Sequence, residues 1–246
     1  MILLYHHVAP SERVPAGGPD DWHFNHSPEA FERQLLELRR RGYRFISLAE
    51  LVADLSSGKP EPHHSVVVTF DDGWIDNYEF AFPVLKRLGV PATSFVTSDD
   101  LRKRVSDPGR MGLGELQQLV KEGFTIGTHT RSHPNLTRIS PDAAREEIAG
   151  CKADVEQALG IGVEFFAYPG GAFNRNVARL VREAGYRAAC SILGPKANDT
   201  GSLFWLYRDL LSPSLNTLGD CYRLSRLARK LLSFRVNRRL RQKLES

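Results

Sequence analysis

Ser65-Val66-Val67-Val68-Thr69-Phe70-Asp71-Asp72-Gly73 is an apolar, β-branched run that stops at two adjacent carboxylates and a glycine. It reads as a buried strand handing over to a loop. A second run of this kind, Phe124-Thr125-Ile126-Gly127-Thr128, stops at His129-Thr130-Arg131-Ser132-His133. Outward from these two, apolar β-type runs alternate with helical ones, which argues for βα units and a parallel sheet. The candidate strands are Ile2–His6, Tyr43–Ile46, Val66–Phe70, Ala92–Val96, Phe124–Thr128, Glu164–Tyr168 and Arg187–Ser191.

Helices fit the gaps. Ser27-Pro28-Glu29-Ala30 has a capping serine and a proline at the first helical position, with Phe31, Leu35 and Leu38 at helical spacing. Ser47 opens a helix through Leu55, Asn77–Leu88 ends at Gly89, and Met111–Glu122 ends at Gly123. One long helix runs from Ser140 to about Leu159, and another from Asn174 to Ala184. Residues 9–23, 56–65 and 194–204 read as loops. The expected class is α/β. Seven strands whose ends supply the suspected site fit a barrel better than an open sheet, because barrel loops converge on one face.

At 246 residues the chain can bury one full core, here assigned to residues 1–217. No apolar run approaches the roughly 18 residues of a membrane span. Met1-Ile2-Leu3-Leu4-Tyr5-His6-His7 lacks the features of a signal peptide and reads as a strand. Cys151, Cys190 and Cys221 are odd in number and widely spaced, so neither a disulfide framework nor a zinc ribbon is indicated. Together these give the expectation of a cytoplasmic protein. Nine basic residues against Glu245 give residues 221–246 a net +8, which leaves −4 for the rest of a chain whose total is +4. The basic pI therefore belongs to the tail, and a nucleic-acid groove across the body is not supported. Residues 218–246, with Leu224, Leu227, Leu231 and Leu232 on one side, read as a basic amphipathic helical tail. Such a tail suits contact with an anionic membrane surface, for which a solvated helix packed on the barrel is the alternative.

One carboxylate and two imidazoles make a three-ligand metal site with positions left for water and substrate. The other carboxylate is then available as a base. On an extended backbone Asp71 and Asp72 point to opposite sides, which favours such a split. His129 and His133, four apart, share one face if the segment is a helical turn. Each motif alone has an ordinary alternative, a turn for Asp-Asp-Gly and a solvated or capping role for the histidines. Tyr168-Pro169-Gly170-Gly171 ends the sixth strand, where glycines let backbone N–H groups approach a ligand as an oxyanion hole requires, with a plain strand-to-helix turn as the alternative.

Thr-Phe-Asp-Asp-Gly (69–73), His-Thr-x-x-His (129–133) and Tyr-Pro-Gly-Gly (168–171), in this order, resemble the polysaccharide deacetylases with a NodB-type domain, carbohydrate esterase family 4. Leu-Tyr-His-His (4–7), Ser-Pro-Glu-Ala-Phe-Glu-Arg-Gln-Leu (27–35) and Arg-Gly-Tyr-Arg-Phe-Ile-Ser-Leu (41–48) resemble the exopolysaccharide branch, which includes poly-N-acetylglucosamine deacetylases. The resemblance covers about residues 1–210. It implies a distorted (β/α)7 barrel and removal of N-acetyl groups from a glycan or glycan precursor. It implies Asp71 as general base, and Asp72, His129 and His133 as ligands of one divalent ion, zinc first, with nickel, cobalt, iron or manganese as alternatives. The Gly170 N–H would help hold the oxyanion, and Tyr168, Pro169, Arg208 and Trp74 are the candidate substrate-binding residues.

Two departures matter. The family's usual arginine in the third motif is replaced by Ala167, and Arg208 is the candidate to supply a cation near Asp71. No histidine follows His133, so the general acid must come from elsewhere. His6 matches the Tyr-His of the exopolysaccharide branch and is the candidate. Three competing readings are a metal-dependent C–N hydrolase for a small non-sugar amide, a carbohydrate-binding pseudoenzyme, and a docking protein with a decayed domain. A cytoplasmic enzyme held at the inner membrane face would meet nucleotide-linked or lipid-linked sugars.

Overall fold

A computed structural model describes residues 1–14, 24–102, 109–194 and 198–211. The expected tail over 218–246 lies outside the described residues, as does Cys221. Nine strands occur among the described residues: β1 (Ile2–Tyr5), β2 (Arg44–Phe45), β3 (Ser65–Phe70), β4 (Ala92–Val96), β5 (Thr125–Thr128), β6 (Phe165–Ala167), β7 (Ala188–Ser191), β8 (Leu206–Tyr207) and β9 (Asp209–Leu210). They lie in the order β8-β7-β6-β5-β4-β3-β1-β9, every pair parallel, with β2 added at the start of β3.

The two ends of that order are one stretch of chain. β8 pairs with β7 and β9 pairs with β1, and only Arg208 separates β8 from β9. Residues 206–210 thus bridge both open edges and nearly close the barrel. Seven staves result, as expected, but their membership differs from the sequence reading. The Tyr43–Ile46 run contributes only the short β2 off the main path, and the seventh stave is Leu206–Leu210.

The helices are α1 (Pro28–Arg40), α2 (Leu48–Ser56), α3 (Phe82–Leu88), α4 (Ser98–Arg102), α5 (Leu113–Lys121), α6 (Pro141–Arg145), α7 (Cys151–Leu159) and α8 (Arg175–Glu183). Ser27 and Ser47 cap α1 and α2 through their side chains, the latter reciprocated by Glu50. Two expected helices carry interruptions. A π-helical turn, Asn77–Ala81, precedes α3, and another, Glu146–Gly150, joins α6 to α7.

The strands sort their residues by the two-residue period. Leu3, Tyr5, Val66, Val68, Phe70, Phe166 and Ala189 join the larger cluster with α1, α3, α5, α7 and α8. Ile2, Val67, Phe95, Phe165, Ala167, Ala188, Cys190 and Leu206 form the inner cluster, packed against Leu48, Leu51, Val52 and Leu55 of α2. Gly127 makes room for this interior, since a Cβ there would stand 2.5 Å from the Phe95 ring. Cys151 and Cys190 are buried free thiols that pack as small core residues.

Candidate active site

The inner parity of each strand, carried upward, reaches the site. Ile2 and Leu4 lead to His6, Val67 and Thr69 to Asp71, Gly127 to His129, and Leu206 to Arg208. These upper residues line one cavity of about 490 Å³ together with Asp72, Trp74, Arg110, His133, Gly170, Gly171 and Ile192. The same parity sends His7 outward. It is fully buried, and its Nδ1 lies 2.6 Å from Asp76 Oδ2. Of the two N-terminal histidines, His6 is therefore the one at the mouth. Its buried Nδ1 has no hydrogen-bond partner among the described residues.

Asp71 is 3% exposed and meets Arg208, which is 1% exposed. Arg208 Nη1 and Nη2 donate to Oδ1 and Oδ2 at 2.6 Å each, and Nη1 also donates to Thr69 Oγ1 at 3.3 Å. Burial pushes the Asp71 pKa up, but the Arg208 charge, then His129 and the Arg208 hydrogen bonds, outweigh it and hold the carboxyl at about 2. The cation expected to replace the missing arginine near Ala167 thus comes from the closing stave. Arg208 borders the cavity, but its two terminal nitrogens are committed to Asp71.

Asp72 does not continue the strand. Its φ of 73° is left-handed and Gly73 follows at 71°, so the extended geometry expected for the aspartate pair is wrong at the second residue. That turn brings Asp72 Oδ1 within 3.6 Å of His129 Nε2 and 3.4 Å of His133 Nε2. The two histidines are not on a helical turn either. Thr130 and His133 have φ of 67° and 60°, and a folded loop brings the rings to 4.8 Å. Three of the four non-glycine residues with positive φ among the described residues therefore sit in this site, where backbone strain commonly collects.

The three side chains fit a metal. Their ligand atoms all lie within 4.8 Å of one another. Ligands about 2.0–2.1 Å from a tetrahedral ion stand about 3.4 Å apart, close to the separations from Asp72. His129 Nδ1–H donates to the Ala167 carbonyl at 2.8 Å, which leaves the Nε2 lone pair facing Asp72 and His133. Burial lowers the His129 pKa against the pull of Asp71 and Asp72, which favours the neutral, ligating form.

Gly170, with φ of 58°, sits in the turn Pro169–Gly171 and borders the cavity. Gly171 has φ of 68°, and a Cβ there would stand 2.4 Å from Ile192 Cγ1. Tyr168 and Pro169, expected to touch substrate, are buried and do not line the cavity. The Tyr168 hydroxyl donates to the Phe204 carbonyl at 2.7 Å, so the residue anchors the turn from behind. Trp74 does line the cavity, held between the His7 ring at 4.4 Å and the Arg110 guanidinium at 3.4 Å. Arg110 also donates to the Asp72 carbonyl. The sequence reading overlooked Arg110 and Asp76. Asp76 follows Asp72 by four residues, and that spacing beside a strand end was the available signal.

A polysaccharide deacetylase family model matches residues 58–189. The chain is 26% identical over 217 residues to YxkH of Bacillus subtilis (strain 168), across 87% of this chain and 72% of that protein. It is 25% identical over 200 residues to the poly-beta-1,6-N-acetyl-D-glucosamine N-deacetylase of Staphylococcus aureus (strain MRSA252), across 76% and 67%. Among solved structures, the Streptococcus pyogenes deacetylase PplD in complex with acetate matches with a TM-score of 0.75 at 26% identity, across 87% of this chain and 92% of that one. The chain belongs to the polysaccharide deacetylase family, whose members are metal-dependent enzymes that remove N-acetyl groups from glycans.

Proposed function

We propose that this protein hydrolyses the acetamide of an N-acetylated amino sugar in a glycan or glycan precursor, releasing acetate, with zinc as its ion. The observation that carries the reading is the placement of Asp71, locked to Arg208, beside the Asp72–His129–His133 triad at one barrel mouth. The Staphylococcus relative supports an amino-sugar substrate, and the acetate complex of PplD supports acetate as product.

Asp72 Oδ1, His129 Nε2 and His133 Nε2 would hold the ion. A divalent ion there supplies a polarised carbonyl and a more acidic water. Asp71, kept ionised by Arg208, takes the proton from the attacking water. Gly170 N–H borders the space where the tetrahedral oxygen develops its charge. His6, on the β1 side of the cavity, gives the leaving amine its proton. Trp74 supplies a flat apolar wall for the sugar.

Acetate release from N-acetylglucosamine oligomers, abolished by a chelator and restored by zinc, tests this reading. Release from small ureides or imides but not from sugars would favour a non-sugar amide hydrolase. Zinc binding with no release from either would favour a pseudoenzyme.

The tail over 218–246 belongs to the same proposal, as a basic, leucine-rich segment that seats the enzyme on an anionic membrane surface at the cytoplasmic face. Salt-sensitive binding to phosphatidylserine vesicles, lost on deletion of residues 221–246, is the expected result. Binding that survives the deletion refutes it.

A further inference from the structure

Glu147, Gly150, Cys151 and Asp154 recur at i, i+3, i+4 and i+7 along the rod formed by α6, its π-helical turn and α7. Helical spacing puts such residues on one stripe. That stripe receives the loop carrying His129 and His133. Glu147 Oε2 accepts Arg131 N–H at 2.8 Å and Ser132 N–H at 2.9 Å, and Oε1 accepts the Ser132 hydroxyl at 2.6 Å. The Arg131 side chain lies over Gly150, where a Cβ would stand 2.3 Å from its Cζ. It donates to Asp154 through Nε at 2.7 Å and Nη2 at 3.0 Å, and also to Glu146. The Cys151 thiol donates to the Thr130 carbonyl at 3.1 Å.

The loop needs such holding. Thr130 and His133 both occupy the left-handed region, which a β-branched or bulky residue avoids unless its surroundings impose it. The His133 side chain is 47% exposed, so core packing does not fix it. Within the loop, Thr130 Oγ1 accepts His133 N–H at 3.0 Å. From outside, one carboxylate binds the two backbone amides between Thr130 and His133, by charge-assisted bonds.

We propose that Glu147 is a positioning residue for the metal site, fixing the backbone turn that brings His133 to Asp72. This rests on the reading of Asp72, His129 and His133 as ligands. Glu147 itself is not one of the three candidate ligands and does not line the cavity. The π-helical turn Glu146–Gly150 starts the stripe, a common use of such turns at functional sites.

The test is zinc titration of the full chain, stripped of metal, against a competing chromophoric chelator. Glu147→Ala should weaken zinc binding about 10- to 100-fold, the usual cost of losing support behind a ligand. Its far-ultraviolet circular dichroism should match the wild type. Glu147→Gln, which keeps one acceptor oxygen, should fall between, and remains informative if the alanine variant folds poorly. In a His133→Ala background, Glu147→Ala should change zinc affinity less than twofold, because the ligand it serves is gone. An equal loss in that background would mean general damage and would overturn the proposal. So would wild-type affinity in Glu147→Ala while Asp72→Asn has lost zinc, a result that leaves the ligand reading intact. Absence of zinc binding in the wild type would overturn both.

Discussion

Arg208 grips Asp71 with two parallel hydrogen bonds of 2.6 Å, and it does so from the single residue that separates β8 from β9. The ion pair joins the strand end bearing the first aspartate to the stave that closes the barrel. Breaking a buried pair from one side leaves an uncompensated charge in the interior. Arg208→Met and Asp71→Asn are each expected to lower stability by about 3–5 kcal/mol. The double variant should lose clearly less than the sum of the two. Urea denaturation of the four proteins measures this, and additive losses would show that the pair is not coupled.

Asp71 and Asp72 are adjacent in sequence but bound differently, one to Arg208 and one facing two imidazoles. Asp71→Asn is expected to abolish acetate release while still binding stoichiometric zinc. Asp72→Asn is expected to lose both. Metal content after dialysis, measured beside turnover, separates them, and loss of zinc from Asp71→Asn would reverse the two roles.

His6 stands at the cavity and His7 behind it. His6→Ala is expected to lower kcat at least about tenfold, as removal of a general acid does, with zinc affinity unchanged. Unaltered turnover would remove His6 from the mechanism.

His26 is fully buried, with Nε2 3.4 Å from the Leu211 carbonyl and Nδ1 3.3 Å from Gln34 Nε2. Burial pushes its pKa down from 6.5 to about 4, against the bond to Leu211. The unfolded chain therefore binds this proton more readily than the folded one. Stability from the neutral ring is complete above pH 6.5 and is lost as pH falls towards 4, about 1.4 kcal/mol per unit and about 3 kcal/mol in all. Urea midpoints at pH 7 and pH 4.5 should fall further for the wild type than for His26→Gln. Equal falls would contradict the assignment.

The parts of the fold legible in the sequence were those where one period held without interruption. Val66–Phe70 and Ala92–Val96 read as strands because no charged residue interrupts them, and both are strands at nearly those bounds. Leu206-Tyr207-Arg208-Asp209-Leu210 escaped because two charges interrupt the run. Both are buried, and Arg208 points into a barrel in which the end of β3, two staves away across β1, supplies its carboxylate. That pairing spans 137 residues, and no local pattern encodes it.

The site was legible in composition and not in geometry. Asp71, Asp72, His129 and His133 do meet, yet through left-handed turns at Asp72, Thr130 and His133 that neither strand nor helix spacing describes. Tyr168 was misplaced because the two-residue alternation that turns Phe165 and Ala167 inward sends it, like Phe166, into the outer core.

Closure by residues 206–210 also means that the barrel joins its earliest strand to its latest described one. A growing chain emerges with both aspartates and both histidines long before Arg208. Until the final stave docks between β7 and β1, the first aspartate has no guanidinium beside it and the ring around it stands open. Asp72, His129 and His133 are thus all synthesised before the residue that completes the Asp71 ion pair.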